Sequence, residues 1–174
     1  MTRSLSRLSA LALLVSLSVS WKTARAQDAA EPGPNGELIY VPIYSSIFYQ
    51  DSKRTLELAA TLSIHNVDPD HSLALTKVDY YNTKGELIRR YLEKPLLLKP
   101  LETKNFVIDK TDTTGGTGAN FLVEWRAQDE AIVSPLLEAI MINVASSQSL
   151  SFTSQGKVIK RFGSLAKPSA SPAP

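Results

Sequence analysis

The chain has 174 residues, with 19 basic and 17 acidic side chains and no cysteine. A chain of this length forms one domain and buries a continuous core without a disulfide or a structural metal. The lack of cysteine excludes disulfide bonds and the attachment of a lipid to a cysteine, so packing alone must hold the fold together.

Residues 1–26 have the composition of an export signal. A basic start is followed by an apolar run from Leu8 to Val19, and an Ala-Arg-Ala tripeptide supplies the cleavage site. The alternative is a retained membrane anchor, but the apolar run is shorter than the roughly 20 residues that a spanning helix needs. We therefore expect cleavage near Ala26 and Gln27 and a soluble periplasmic or secreted protein without a membrane span.

The excess of basic over acidic residues in the chain comes from this segment. Its four charged residues are all Lys or Arg, so cleavage leaves 15 basic against 17 acidic residues and turns a net charge of +2 into −2. Such a charge gives no argument for nucleic-acid binding. Residues 27–36 and 163–174 are rich in Pro, Gly, Ser and Ala, which predicts a flexible lead-in and a disordered tail around a folded domain at 37–162.

The first half of the domain reads as strands. Residues 37–49 are rich in β-branched and aromatic side chains, and Pro42 predicts that their first part lies at a sheet edge. Residues 54–66 alternate apolar and polar side chains with period two, which predicts one long strand with a buried face. Residues 77–92 read as a hairpin that turns at 82–85, where glycine supplies a positive φ.

The second half continues the pattern. Residues 105–109 predict a short strand, and in residues 121–127 the side chains of Phe121, Val123 and Trp125 share one face. Residues 136–144 favour a helix by propensity, but their length, the preceding proline and their neighbours favour a strand. Residues 151–159 predict a closing hairpin that turns at 154–156.

Seven or eight short strands with turns about every ten residues, and no amphipathic helix, predict an all-β fold. We expect a single immunoglobulin-like β-sandwich that lacks the cysteine pair of antibody domains. No internal repeat indicates a solenoid or a propeller.

The stretch GGTGAN, residues 115–120, is the first candidate site. A phosphate loop requires a Lys after the last glycine and a following helix, and a dinucleotide fingerprint requires a third glycine where this chain has Phe121. The nine-residue calcium repeat of secreted β-rolls fits better, with Asn120 in place of Asp, although those repeats bind between successive copies.

Asp109 and Asp112 lie close before this loop, and carboxylate oxygens are ligands that calcium prefers. The alternative is a tight glycine-dependent turn between two strands, in which Gly118 or Asn120 takes left-handed backbone angles. The candidate metal ligands are Asp109, Asp112 and Asn120. The candidate binding residues around the loop are Asp112, Gly115, Gly116, Gly118 and Asn120.

Two further groups of polar side chains are candidate chemical sites. HNVDPDH, His65–His71, gathers two imidazoles and two carboxylates that suit zinc or copper, but Asp-Pro-Asp is also ordinary turn chemistry. Glu124 and Glu138 could flank a glycosidic bond if their strands were neighbours. The alternative is that both glutamates lie on solvated strand faces.

Aromatic side chains concentrate in the first strand and the central hairpin. Tyrosines on an outward face supply contact area for a protein or a sugar at low entropic cost. The candidate members of such a patch are Tyr44, Phe48 and Tyr49. The alternative is that most of these rings are half-buried in the sandwich.

Six motifs in order, YVPIYSSIF, LAATLSIHN, VDYYNTKGELIRRYL, LKPLET, GGTGANFLVEW and SPLLEAIM, together resemble the domain of unknown function 3124 family of bacterial secreted proteins. The resemblance runs from about Tyr40 to Ile159 and implies export by a bacterium. That family has no assigned activity, so the resemblance implies no catalytic residues. It implies an arginine where this chain has His65, which disfavours that histidine as an essential metal ligand.

We expect an exported β-sandwich that acts as a binding or structural accessory module for a protein or carbohydrate, without enzymatic activity. The first alternative is a secreted hydrolase that uses carboxylates near the glycine loop. The second is a calcium-dependent binding protein. No cofactor other than calcium is indicated.

Overall fold

The computed structural model describes residues 33–50, 53–128, 131–144 and 149–163. The predicted export signal lies outside the described residues, as do most of the predicted lead-in and all but the first residue of the predicted tail. The described part holds twelve strands. In chain order they are β1 Gly36–Pro42, β2 Ser46–Tyr49, β3 Arg54–Glu57, β4 Ala59–His65, β5 Leu73–Tyr81, β6 Leu87–Arg90, β7 Leu96–Leu98, β8 Thr103–Ile108, β9 Asn120–Ala127, β10 Leu136–Val144, β11 Ser149–Gln155 and β12 Lys157–Arg161.

The strands form two antiparallel sheets and a short ribbon. In the six-stranded sheet β12, β1, β9, β5 and β6 follow one another, and β7 also pairs with β5. The four-stranded sheet has the order β11, β10, β4, β8, while β2 and β3 pair as a separate ribbon. The two sheets pack as a sandwich, which confirms the all-β prediction. The immunoglobulin-like arrangement stays a prediction.

The core lies between the sheets and follows the period-two pattern. Phe121, Val123 and Trp125 are fully buried on one face of β9, as predicted, and face the inward side chains of the other sheet. On β4 the inward residues Leu62 and Ile64 are also fully buried. Each fully buried side chain of this size contributes roughly 1.5–3 kcal/mol, so this core is a main favourable term in the folding of a chain without disulfides.

The predicted hairpin at residues 77–92 is confirmed. Asp79 and Tyr80 of β5 pair with Arg90 and Arg89 of β6. At the turn Gly85 has a φ of 78°, and its N–H donates to the Asn82 carbonyl at 2.9 Å. The strand prediction for residues 136–144 is confirmed as β10, whose burial alternates along its length.

The single long strand predicted for residues 54–66 is wrong. The Leu58 N–H donates to the Ser45 carbonyl at 2.8 Å, one position beyond the Ser46–Glu57 pair, and this bond is the last contact of the β2–β3 ladder before β4 begins at Ala59. Pairing then changes from β2 to β8 and β10. Because the backbone stays extended, the alternation continues across the break and hides it.

The prediction that Pro42 marks a sheet edge is also wrong. β1 lies inside the six-stranded sheet, between β12 and β9. The ladder with β12 covers only Glu37 to Tyr40, so Pro42 lies beyond its end. The lack of an N–H at Pro42 therefore removes no hydrogen bond from that ladder.

The closing hairpin predicted at residues 151–159 is not formed. β11 belongs to the four-stranded sheet and β12 to the six-stranded sheet, so the chain crosses the sandwich at Gly156. A Cβ on Gly156 would lie 2.7 Å from Ile39 Cγ2 and 3.2 Å from Leu137 Cβ. Glycine is needed here for close passage between the layers, not for a tight turn.

The predicted count of seven or eight strands is too low for the described residues. Several strands have only three or four residues, which is too short for alternation to stand out, and two predicted strands are each divided.

Candidate functional site

The glycine loop forms a junction with the turn of the β5–β6 hairpin. A 3-10 turn spans Gly116–Gly118. The backbone N–H and the hydroxyl of Thr83 both donate to the Gly115 carbonyl at 2.9 Å. In return the Gly118 N–H donates to the Thr83 hydroxyl at 2.9 Å. These contacts support the interpretation of the loop as a tight turn before a strand. Ligand binding by its residues stays a prediction.

The left-handed residue of the loop is Gly116, with a φ of 73°. The expectation that Gly118 or Asn120 would take this conformation is wrong. The Gly116 carbonyl accepts a hydrogen bond from the Ser45 N–H at 3.1 Å, and this contact places the bend at Gly116.

A buried pair of hydroxyl groups lies beneath the loop. Ser45 Oγ and Tyr80 Oη are 2.6 Å apart, and both residues are buried. Burial raises the pKa of Tyr80, so the hydroxyl stays protonated. A Cβ on Gly115 would overlap the Tyr80 hydroxyl and lie 2.6 Å from Ser45 Oγ. Glycine is therefore required at this position by close contact.

The predicted calcium ligands make separate local contacts. Asp109 Oδ1 accepts from the N–H and the hydroxyl of Thr111 at 2.8 and 2.7 Å, and these bonds lower the pKa of Asp109. Asp112 Oδ2 lies 3.3 Å from Arg89 Nη2, and Asn120 opens β9. Among the described residues, no group of three or more His, Asp or Glu side chains could hold a metal ion. Calcium binding stays an alternative hypothesis.

The segment His65–His71 surrounds a buried carboxylate. Asp68 is only 4% exposed and accepts from the N–H groups of Asp70 and His71 at 2.9 Å and from that of Val133 at 3.1 Å. Burial raises the pKa of Asp68, but these hydrogen bonds outweigh it and lower the pKa to about 2. Asp68 therefore ties this loop to the segment before β10.

The two histidines of the predicted zinc or copper site make different contacts. His71 Nδ1 lies 3.1 Å from Asp68 Oδ1. His65 Nδ1 lies 2.8 Å from the Thr103 hydroxyl, and its Nε2 is 3.8 Å from Glu138 Oε1. These contacts fit a hydrogen-bonded loop better than a metal site.

The carboxylate pair considered for hydrolysis does not form. Glu124 lies on β9 and Glu138 on β10, and these strands belong to different sheets. Each glutamate alternates with buried neighbours, so the two side chains point outward from opposite faces of the sandwich. Glu124 instead binds Arg126, at 2.9 Å.

A different carboxylate is fully buried and was not predicted. Glu37 of β1 points into one end of the core, where Arg161 Nε donates to one oxygen at 3.1 Å and Trp125 Nε1 to the other at 3.3 Å. A glutamate beside a proline- and glycine-rich segment gives no sign of such burial in the sequence.

The predicted aromatic patch is exposed only in part. Phe48 is 57% and Tyr49 40% exposed, and both lie at the end of the β2–β3 ribbon. Tyr44 is half-buried, with its ring 5.8 Å from that of Phe152. Two of the three rings therefore remain available for contact.

The most unusual surface is the outer face of the four-stranded sheet, which we call the apolar face. Its exposed side chains come mainly from β10, with one from β8: Val107, Leu136, Ile140, Ile142 and Val144. Ile142 is 41% and Val144 71% exposed. Ile140, Ile142 and Val144 follow one another along β10, while Glu138 separates Leu136 and Thr61 separates Val107 from them, and a group of exposed aliphatic side chains often marks a contact surface.

The neighbours of these side chains on the apolar face are small and uncharged. Ile140 pairs with Thr61 of β4 and Thr153 of β11, and Ile142 pairs with Ala59 and Ser151. The charged or titratable groups are His65 and Glu138, towards the end of the face that carries Leu136.

The outer face of the six-stranded sheet has the opposite character. It carries charged side chains on most of its strands: Lys77, Asp79, Arg90, Glu124, Arg126 and Lys160. This face also exposes Leu87 and Leu97, so the two outer faces differ mainly in their charged side chains, which are more numerous on the six-stranded sheet.

The sequence carried a sign of the apolar face. In the stretch LLEAIMINV, both alternating sets of side chains are largely apolar, as expected of a strand covered on both sides. In the structure Leu137, Ala139 and Met141 fill the core, while the other set faces solvent.

The family model described as "Protein of unknown function (DUF3124)" matches residues 36–159. A solved structure titled "Crystal Structure of Thermotoga maritima 1070" is 11% identical to this chain, covers 73% of it and 96% of its own chain, and superposes with a TM-score of 0.45. At that score the likeness carries no argument. Comparison with curated proteins gives no match. In the described part of the chain, no helix has the length and hydrophobicity to cross a membrane.

Proposed function

The chain belongs to the family of proteins of unknown function DUF3124, and from that premise we propose that it is an exported, non-catalytic binding module. The observation that carries the proposal is the apolar face. A monomeric protein gains nothing from aliphatic side chains held against water, because their burial by a partner is favourable.

The size of the apolar face suits a contact surface. Four strands spaced about 4.8 Å apart, each about seven residues long at about 3.3 Å per residue, give a face on the order of 400 Å². Aliphatic side chains cover only part of this area, mainly along β10, and exposed apolar patches on monomers are often functional. A stable partner covers about 800 Å² on each side, so it would also touch the rim of the sheet.

The chemistry of the face favours a protein partner. The face carries no Phe, Tyr or Trp on which a sugar ring could stack, although Thr61, Ser151 and Thr153 offer hydroxyls, and no Lys or Arg projects from it to bind phosphate. A flat, uncharged protein surface fits best. Phe48 and Tyr49 on the ribbon stay a second, predicted contact.

Export is the second part of the proposal. The segment 1–26 supports it, with its basic start, apolar run and cleavage site. Mass spectrometry of the protein from a periplasmic or culture fraction should find a chain that begins at Gln27. A chain that retains residues 1–26 in the membrane fraction would contradict cleavage.

Site-specific photocrosslinking in the native cell tests the binding surface. A photoreactive residue in place of Ile142 should give one discrete protein adduct. As a matched control, the same residue replaces Leu97, which is 49% exposed on β7 of the other sheet, and should give none. Ile140→Lys should abolish the adduct at position 142. Equal adducts at both positions, or none at either, would contradict the proposal.

A further inference from the structure

We propose that two copies of the chain associate through the free edge of β11, Ser149–Gln155, to form one continuous eight-stranded sheet. The proposal does not rest on the proposed function, because the pairing is made by backbone groups of the edge strand, although the side chains of Ser151 and Thr153 lie on the apolar face beside Ile142 and Ile140.

The edge strands of the two large sheets differ in how they are protected against pairing. Lys and Arg on an edge strand, or very short length, prevent a second chain from adding to it. β12 carries Lys157, Lys160 and Arg161, β6 carries two arginines, β8 carries Lys104, and β7 has three residues. β11, with the sequence SLSFTSQ, has seven residues and carries no charge, no proline and no glycine.

The backbone groups of β11 that face outward follow from its pairing with β10. The Gly156 N–H donates to the carbonyl of Leu137, which is the residue directly opposite, at 2.9 Å. Hydrogen-bonded pairs alternate in an antiparallel ladder, so Ser154 and Phe152 also face β10. The alternate residues of β11, which include Ser151 and Thr153, direct their N–H and carbonyl groups to the free edge. In the described part of the chain no strand pairs with that edge.

A second copy fits this edge by symmetry. Two β11 strands related by a two-fold axis run antiparallel, and an axis through Phe152 overlaps all seven residues. In that register Ser151 of one copy lies opposite Thr153 of the other, and no charged side chain meets another. On β12 or β6 the same self-pairing would bring Lys or Arg side chains together, which is unfavourable.

The inward side of β11 also lacks cover. Leu150 is 37% exposed, and Phe152 is half-buried with Tyr44 on one side. In the proposed register Phe152 meets Phe152 of the second copy across a narrow pair, which buries both rings further. The pairing therefore satisfies backbone groups and covers apolar side chains at once.

Sedimentation velocity tests the association. The full sequence is expressed, and the form that accumulates is purified and measured over a range of concentrations. We expect twice the monomer mass. Ser151→Lys combined with Thr153→Lys places like charges opposite each other and should weaken association by at least about tenfold. Thr103→Lys combined with Asn105→Lys, the same charge change on β8 at the other edge of this sheet, should leave the dimer intact.

A charge exchange separates pairing from misfolding. Ser151→Glu combined with Thr153→Glu should also be monomeric alone, and mixing it with the double lysine variant should restore a heterodimer. A monomeric parent protein, a lysine variant that still dimerises, or a mixture that stays monomeric would each overturn the proposal. Ile142→Lys should remain dimeric; its dissociation would assign the contact to the apolar face and overturn edge pairing.

Discussion

The carboxylate of Asp68 allows a quantitative test of what holds the loops of the sandwich together. Asp68→Asn keeps the shape of the side chain but replaces one of its two oxygens by a donor. Oδ1 accepts three hydrogen bonds and Oδ2 accepts one from the Val133 N–H, so the amide group of asparagine must face a donor. Loss of one charge-assisted bond and weakening of the others should lower the free energy of unfolding by about 3 kcal/mol.

The same carboxylate predicts a dependence on pH. Its ordinary pKa of 3.8 falls to about 2 in the folded protein, which corresponds to about 2.5 kcal/mol. Because the folded pKa is lowered, the unfolded chain binds more protons in this range. The stabilisation is present above about pH 5 and is lost as the pH falls through 3.8 towards 2.

Urea unfolding followed by the fluorescence of buried Trp125 measures both effects. The difference in stability between the parent and Asp68→Asn should be about 3 kcal/mol near pH 7 and clearly smaller near pH 3. Asp70→Asn, at the exposed neighbouring residue, is the matched control and should change stability by less than about 0.5 kcal/mol. An Asp68→Asn effect that is small, or equal at both pH values, would refute the reasoning.

Four further outcomes can be measured by the same unfolding assay or by calorimetry. Gly115→Ala should cost at least about 2 kcal/mol, because its Cβ overlaps a buried tyrosine hydroxyl, whereas Gly163→Ala, which has open space, should cost less than about 0.5 kcal/mol. Gly156→Ala should cost about 1–3 kcal/mol, since its Cβ would press between the two sheets. Glu37→Gln should cost about 2 kcal/mol, because a buried, paired carboxylate loses its charge. Titration with calcium should give no heat of binding, because the carboxylates near the glycine loop already accept local hydrogen bonds.

Local features of the fold could be predicted from the sequence. The β5–β6 hairpin depends on a few adjacent residues and on Gly85, and the inward face of β9 depends on strict alternation. Features set by distant partners could not be predicted. The break between β3 and β4 depends on the change of pairing partner from β2 to β8 and β10, and the crossing at Gly156 depends on which sheet the next strand joins.

The candidate site illustrates the same limit. The apolar run of β10 indicates a strand with two apolar faces, but alternation alone cannot show which face stays in water. The pairing with β4 and β11, and the lack of any layer outside them among the described residues, are properties of the whole sheet. The placement of Glu124 and Glu138 in different sheets could not be predicted for the same reason, because long-range pairing decides which sheet a strand joins.

Carbene footprinting, which labels exposed aliphatic side chains, tests the apolar face most directly. The protein is labelled in its native compartment and again after purification, and labelling of the peptide that contains β10 is compared with that of the peptide that contains β7. The account predicts that β10 is labelled strongly in the purified protein and is protected in the native compartment, while β7 is labelled equally in both. Equal labelling of β10 in the two states would contradict a partner bound to the apolar face.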